Sequence, residues 1–214
     1  DSGDPRAFEG YGQLYEAFLL QLNFIIETKM RVSNYIDRMF AKYAPAPFLS
    51  VVVEDCITTG KDYYAGGPRY NTNYIQCTGL GTTADSLAVM KKHVFEDQAF
   101  SMERLLQALS ANFEGDEFLR QTVINKTPLF GNNDDYADDI AKCVYHDLLA
   151  AIDGKPNVRG GQFHLNMLST TCHVYFGKVM GATANGRFAG KSISDGTSPS
   201  HGADTHGPSA VIQS

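Results

Sequence analysis

From Leu14 to Tyr43, apolar residues return at Leu14, Phe18, Leu22, Ile25, Val32, Ile36, Met39 and Tyr43, in steps of three and four broken only at Lys29. That spacing gathers them on one face and predicts a long amphipathic helix. Pro45 and Pro47 end it, and Phe48 to Thr59 reads as a second helix closed by Gly60, a residue suited to the left-handed cap. A helical hairpin is expected. After the loop around Gly66-Gly67-Pro68, Tyr70 to Thr78 is rich in aromatic and β-branched residues and predicts a strand.

Helical spacing resumes from Ala84 to Phe95, and Ser101 is placed to cap a helix carrying Met102, Leu105, Leu106, Leu109 and Phe113, with Gly115 after its end. Asn133 similarly precedes Tyr136, Ile140, Val144, Leu148 and Ile152. Asp134, Asp135, Asp138 and Asp139 crowd the first turns of that helix, where the dipole favours anions, so the acidic run reads as a helix start. Past Gly154 the character changes. Phe163 to Phe176 has strand-like composition, and residues 177–214 carry seven glycines without a helical period, which predicts loop and extended chain. With no internal repeat or linker-like segment, the pattern is that of one α/β domain or part of one.

Composition narrows the partners. Lys and Arg number 18 against 24 Asp and Glu, a formal charge of −6, which argues against nucleic acid or an anionic membrane as the main partner. With 43% hydrophobic and 20% charged residues the chain can build a core, so disorder is excluded. No apolar run approaches a bilayer span, and no charged-then-apolar leader opens the chain. Cys56, Cys77, Cys143 and Cys172 are scattered without C-x-x-C spacing, which fits a reducing cytosol rather than a disulfide framework or zinc knuckle. The chain opens at Asp1 and stops at Ser214, just after the apolar Ala210-Val211-Ile212, so it is expected to be a piece of something longer.

Short patterns are weak by themselves. Gly79-Leu80-Gly81-Thr82-Thr83-Ala84 fits G-x-G-x-x-A, but no second parallel strand with a ribose-binding acid follows, and a dinucleotide site is rejected. Gly186 to Ser192 nearly spells a phosphate loop, yet only three residues separate its glycines where four are needed. His201, Asp204 and His206, like His164 and His173, have no metal-ligand spacing, and no metal is expected. Asn125-Lys126-Thr127 matches the glycosylation triplet and carries no weight alone. Arg159 and Arg187 lie among glycines, where an anion could reach the guanidinium fork; from spacing alone a structural salt bridge is the better reading of each.

The order of longer motifs is more specific. Ser2-Gly3-Asp4-Pro5-Arg6 is followed by Pro47-Phe48-Leu49-Ser50, Asp55-Cys56-Ile57, Gly60-Lys61-Asp62 and Gly66-Gly67-Pro68-Arg69-Tyr70-Asn71. Ala84-Asp85-Ser86-Leu87, Asn112-Phe113-Glu114-Gly115 and Gly131-Asn132-Asn133-Asp134-Asp135 come next. Gly181-Ala182-Thr183, Asn185-Gly186-Arg187, Asp195-Gly196-Thr197-Ser198-Pro199, Gly202-Ala203-Asp204 and Gly207-Pro208 complete the series. In this order, over essentially the whole chain, the series resembles the glycyl radical enzymes, the pyruvate formate-lyase-like family.

The resemblance implies a ten-stranded α/β barrel of two five-stranded halves wrapped in helices, with residues 1–214 forming a central to C-terminal part of it. It implies a glycyl radical, installed by a radical-SAM activating enzyme, that oxidises a cysteine to a thiyl. The thiyl takes hydrogen from a substrate carbon, and the barrel shields the intermediate. The thiyl motif Cys-x-Glu and the radical-bearing Arg-Val-x-Gly-Tyr motif do not occur in this sequence, so none of the four cysteines is assigned to catalysis, and no metal or nucleotide is implied.

Asn166 to Gly177 looks like the eliminase branch, which includes glycerol and propanediol dehydratases and isethionate sulfite-lyase. Isethionate lyase is expected to carry an arginine and a phenylalanine where this chain has Arg159 and Phe163, whereas the diol dehydratases carry a tyrosine at the second place. The resemblance therefore implies that Arg159 holds a sulfonate and Phe163 packs beside the substrate. A permanent anion needs cationic donors, while a neutral diol would leave Arg159 uncompensated unless an acid paired with it. C–S cleavage of isethionate to acetaldehyde and sulfite is thus the expected reaction. A B12-independent glycerol or propane-1,2-diol dehydratase is the alternative, and a non-catalytic paralogue a third. Arg69, Asp85, Arg187 and Asp195 are assigned to structure. A homodimer in the cytosol or in a bacterial microcompartment completes what the resemblance implies.

Overall fold

The structure is a computed structural model and describes residues 2–214. Its chain divides into two units. One comprises the residues up to Phe18 with Gln76–Asp147 and Met167–Ser214; the other comprises Leu19–Ile75 and Leu148–Asn166. Helices dominate both: α1 (Tyr11–Tyr43), α2 (Pro47–Ser50), α3 (Glu54–Thr59), α4 (Leu80–Val89), α5 (Met102–Ser110), α6 (Glu117–Lys126), α7 (Asp135–Ile152), α8 (Cys172–Val179) and α9 (Pro208–Gln213). Among the described residues the only sheet pairs β1 (Asn73–Gln76) with β2 (Phe163–Asn166).

The core of the first unit gathers around α5. Leu105 is fully buried and shares a cluster with Val89, Met102, Phe113, Leu119 and Val123. Ser101 caps α5 as the sequence predicts, accepting from the Arg104 N–H at 3.2 Å. Helical spacing beyond Ala84 holds in a modified form: α4 passes into a π-helical turn over Met90–Glu96, with the Asp97 N–H reaching back to the Lys92 carbonyl at 2.7 Å. The wider turn directs His93 inward, onto the Thr127 hydroxyl at 3.0 Å and against the ring of Phe100.

Helix α6 is absent from the sequence expectation. Its start is fixed by Asp116, whose Oδ1 accepts from the Leu119 N–H at 3.1 Å while the carboxylate also takes two bonds from Arg104, at 2.8 and 2.9 Å. The Arg104 guanidinium and that backbone N–H, outweighing burial, hold the carboxyl below its ordinary range. Removing Asp116 with alanine should cost about 1–2 kcal/mol, a lost cap plus an exposed fork. Because the folded pKa is depressed, this stability is complete above the ordinary carboxylate range and fades as pH falls through and below it. A urea titration of the parent protein repeated from pH 7 to pH 3 checks both.

In the second unit the Phe48 to Thr59 stretch breaks into α2 and α3, and Gly60 supplies the left-handed cap of α3 at φ +64°. The break is organised by Asp62. Its carboxylate accepts from the Ala46 N–H at 2.8 Å, the Ser50 hydroxyl at 2.8 Å and the Tyr64 N–H at 2.9 Å, and Ser50 in turn accepts from the Tyr63 N–H at 2.9 Å. One side chain thus ties the end of α1 to the turn beyond α3. The apolar stripe that the spacing gathers on one face of α1 is exposed in this unit at Ile25, Val32, Ile36, Met39 and Tyr43.

The strand expected over Phe163 to Phe176 stops at Asn166 and gives way to α8. Local bonds outweigh the β-branched composition. The Thr170 N–H donates to Asp195 at 3.1 Å, and the Thr170 hydroxyl accepts from the Cys172 N–H at 3.3 Å, which turns the chain into a helix.

Candidate functional site

The two residues singled out for substrate, Arg159 and Phe163, belong to one tight hairpin of the second unit. Phe163 N donates to the Lys155 carbonyl at 2.7 Å, Gly154 N to the Phe163 carbonyl at 3.0 Å, and Pro156 bridges Gln162 in antiparallel fashion. Asn157 closes the tip: its N–H donates to the Gly161 carbonyl at 2.9 Å, and its side-chain oxygen accepts from the N–H groups of Arg159 at 3.0 Å and Gly161 at 2.9 Å. Arg159 therefore sits at the apex of a turn whose backbone donors are held by an asparagine, an Asx-type device.

Two glycines let this turn touch the Gly66-Gly67-Pro68-Arg69-Tyr70-Asn71 loop. A β-carbon on Gly161 would lie 2.1 Å from the Asn71 carbonyl oxygen, and one on Gly66 would lie 2.6 Å from the Arg159 carbonyl oxygen. Only a bare backbone permits approaches this close.

The guanidinium of Arg159 is not free. Its Nε lies 3.4 Å from Asp37 Oδ2 without an aligned hydrogen bond, and the two side chains are 15% and 17% exposed. Nη2 donates to the Thr72 carbonyl and to Asn73 Oδ1, both at 3.2 Å. Asn73 donates to Asp37 at 2.9 Å and accepts from Asn157 at 2.6 Å, while Asn34 Oδ1, one turn before Asp37 on α1, accepts from the Val158 N–H at 3.1 Å. The result is a charge-compensated network of Asn34, Asp37, Asn73, Asn157 and Arg159. Phe163 is 1% exposed.

Sequence reasoning missed Asp37, Asn73 and Asn157. The legible signal was the pair Asn34 and Asp37, three residues apart on one face of α1, away from its apolar stripe. The presence of Asp37 also removes a step in the sulfonate argument, which required Arg159 to lack an acid.

The residues assigned to structure lie in the first unit, apart from Arg69, which pairs with Asp55 at 2.9 Å in the second. Arg187 donates to Thr183 Oγ1 at 3.1 Å and to the carbonyls of Gly181, Phe188 and Lys191. Asp195 accepts from Thr170 and lies 3.4 Å from His173. Asp85, fully buried, accepts from the Phe130 N–H at 2.8 Å and the Ser200 hydroxyl at 2.5 Å. Among the described residues no three His, Cys, Asp or Glu side chains converge as metal ligands, and no helix is long and apolar enough to cross a membrane. Cys56 is buried, and desolvation, then Asp62 and Asp55, push its thiol pKa up.

Comparison with known proteins gives this arrangement a family. The model described as pyruvate formate lyase-like matches residues 1–177. Trans-4-hydroxy-L-proline dehydratase of Clostridioides difficile is 49% identical over 214 residues, all of this chain and 27% of that protein. Its crystal structure with trans-4-hydroxy-L-proline bound superposes with a TM-score of 0.96 over 100% of this chain and 27% of that one. Isethionate sulfite-lyase of Oleidesulfovibrio alaskensis is 37% identical over 221 residues, again all of this chain and 26% of the relative. A glycyl radical enzyme from Archaeoglobus fulgidus, 34% identical, gives a TM-score of 0.88 over 94% of this chain and 26% of that one. The chain spans about a quarter of the length of the curated relatives it matches. The chain belongs to the pyruvate formate-lyase-like family of glycyl radical enzymes.

Proposed function

We propose that the parent of this chain is a glycyl radical dehydratase acting on a hydroxylated amino acid of the trans-4-hydroxy-L-proline class. The observation that carries this reading is the 49% identity, over the whole chain, to an enzyme of that name, against 37% to an isethionate sulfite-lyase. A thiyl radical takes hydrogen from a carbon next to the hydroxyl-bearing carbon; the neighbouring hydroxyl takes a proton from an acid-base group of the parent and leaves as water, and the product radical recovers hydrogen from the thiol, which restores the thiyl. The thiyl and glycyl residues belong to the remainder of the parent. Residues 1–214 contribute part of a ten-stranded α/β barrel, with β1 and β2 as two of its strands. A radical-SAM activating enzyme and a second copy of the parent are its partners, in the cytosol or a bacterial microcompartment.

In this reading Arg159 and its network set the position of the hairpin and present a neutral pair, guanidinium with carboxylate, toward the substrate side. Such a pair suits a zwitterion better than a lone anion, because neither charge must be left uncompensated. A second reading, C–S cleavage of isethionate, is supported by the residue types at Arg159 and Phe163. There Arg159 would leave Asp37 for the sulfonate, and Phe163 would form the apolar floor.

The test is an anaerobic panel on the full-length parent, activated by its radical-SAM partner, with trans-4-hydroxy-L-proline, isethionate, glycerol and propane-1,2-diol. Turnover of the hydroxyproline with no sulfite from isethionate is the expected result. Sulfite as the main product transfers the assignment to the second reading. A radical that forms yet turns over none of the four excludes both readings.

A further inference from the structure

Residues 193–206 cross the first unit as a glycine-containing strap, and its attachments are unusually complete. Thr82 and Ser194 exchange hydrogen bonds, Thr82 N to Ser194 Oγ at 3.0 Å and Ser194 N to Thr82 Oγ1 at 2.9 Å. A β-carbon on Gly81 would lie 2.7 Å from the Ser198 carbonyl oxygen, so the strap rests directly on the backbone of α4. At its far end Asn132 donates to the Ala203 carbonyl at 2.7 Å and accepts from the N–H groups of Thr205 at 2.8 Å and His206 at 3.1 Å.

Between these anchors lies Asp85, 0% exposed, which holds the strap through Ser200 and the 129–132 turn through Phe130 with the two oxygens of one carboxyl group. Asp85 and Ser200 also wall a cavity of about 390 Å³ that Arg120, Arg187, Lys191 and His201 border.

We propose that Asp85 is a proton-sensitive clasp: it docks the 193–206 strap on α4 and so keeps this cavity walled, more tightly when the carboxyl carries a proton than when it is ionised. The chemistry allows both states. Ionised, Asp85 accepts from Ser200 and Phe130. Protonated, it donates its O–H to Ser200 Oγ and still accepts from Phe130, because a serine hydroxyl can reverse its role. What differs is the cost of a buried charge. The cavity's cations do not relieve it: no ion pair joins Asp85 to Arg120, Arg187, Lys191 or His201 among the described residues, and Arg187 spends its donors on neutral oxygens. Desolvation, only partly offset by the Ser200 and Phe130 bonds, pushes the Asp85 pKa up to about 6.

The sign follows. A carboxyl whose closed-state pKa lies above its open-state value favours closure at low pH and loses that advantage as pH rises through about 6. With an open-state pKa of about 3.9, closure should strengthen roughly tenfold between pH 7 and pH 5.

Amide hydrogen exchange on the full-length parent, corrected for intrinsic rates, reads this at Ser194, Ser198 and Ala203 from pH 7.5 to pH 5. About tenfold greater protection at pH 5 is expected, abolished in Asp85→Asn and retained in His201→Gln. Flat protection in the wild-type protein overturns the proposal, as does a pH response that survives Asp85→Asn or disappears with His201→Gln. Should Asp85→Asn fail to fold, Ser200→Ala replaces it: because the Ser200 bond partly offsets the desolvation of Asp85, a response displaced to higher pH supports the clasp, and an unchanged response overturns it.

Discussion

Gly161→Ala is expected to dislodge the Asn157–Gly161 turn and to cost about 3 kcal/mol, the upper part of the range for forcing an extra methyl into a filled space. The methyl would meet the Asn71 carbonyl oxygen at 2.1 Å and its carbon at 2.6 Å, backbone atoms that cannot swing aside as a side chain can. Moving that carbonyl also strips Asn157 of a partner, since its Nδ2 donates there. The neighbouring Gly160 provides the control. It has a φ of +84° but open space at its β position, so Gly160→Ala carries only left-handed backbone strain, about 1 kcal/mol. Hydrogen exchange at Asn157 and Phe163 in the full-length parent separates the two: the contact argument fails if both variants lose protection equally.

That contrast also marks where sequence reasoning reaches its limit. Helices α1, α5 and α7 were legible because their apolar residues recur at helical spacing, and Ser101 signals its own cap. Helix α6 was not, because its start depends on Asp116 binding Arg104 across twelve residues, which no local pattern announces. The helix α8 was hidden by threonines and aromatics that favour strands, and what overrides them is Asp195, remote in sequence. Around the candidate site, Arg159 stood out among glycines, but its compensating acid lies on α1. Pairing 122 residues away is visible only once the chain has folded. The stripe of α1 teaches the converse: helical spacing correctly gave the helix, yet it does not say which surface, if any, the stripe meets, and in the second unit the stripe is exposed.

Asp37→Ala is expected to be the other severe change, about 2–3 kcal/mol, somewhat below the cost of breaking a fully buried pair because both side chains keep a little solvent. Arg159 would remain three-quarters or more buried, its acid gone and only the Thr72 carbonyl and Asn73 to hold it. Arg159→Met removes the charge but keeps much of the stem's packing, and Asp37 retains Asn73, so its cost should be nearer 1 kcal/mol. The double variant is then less damaged than the sum of the two, by about 1–2 kcal/mol, the signature of coupled neighbours. Unfolding of the four full-length proteins in urea measures that cycle, and strict additivity would dismiss the pair as an organising contact. The same variants bear on substrate choice. If Arg159 faces substrate as half of a neutral pair, Asp37→Ala leaves an unmatched cation and should shift relative turnover away from the hydroxyproline and toward isethionate. A purely structural pair predicts instead that turnover of both substrates falls together as the hairpin loosens.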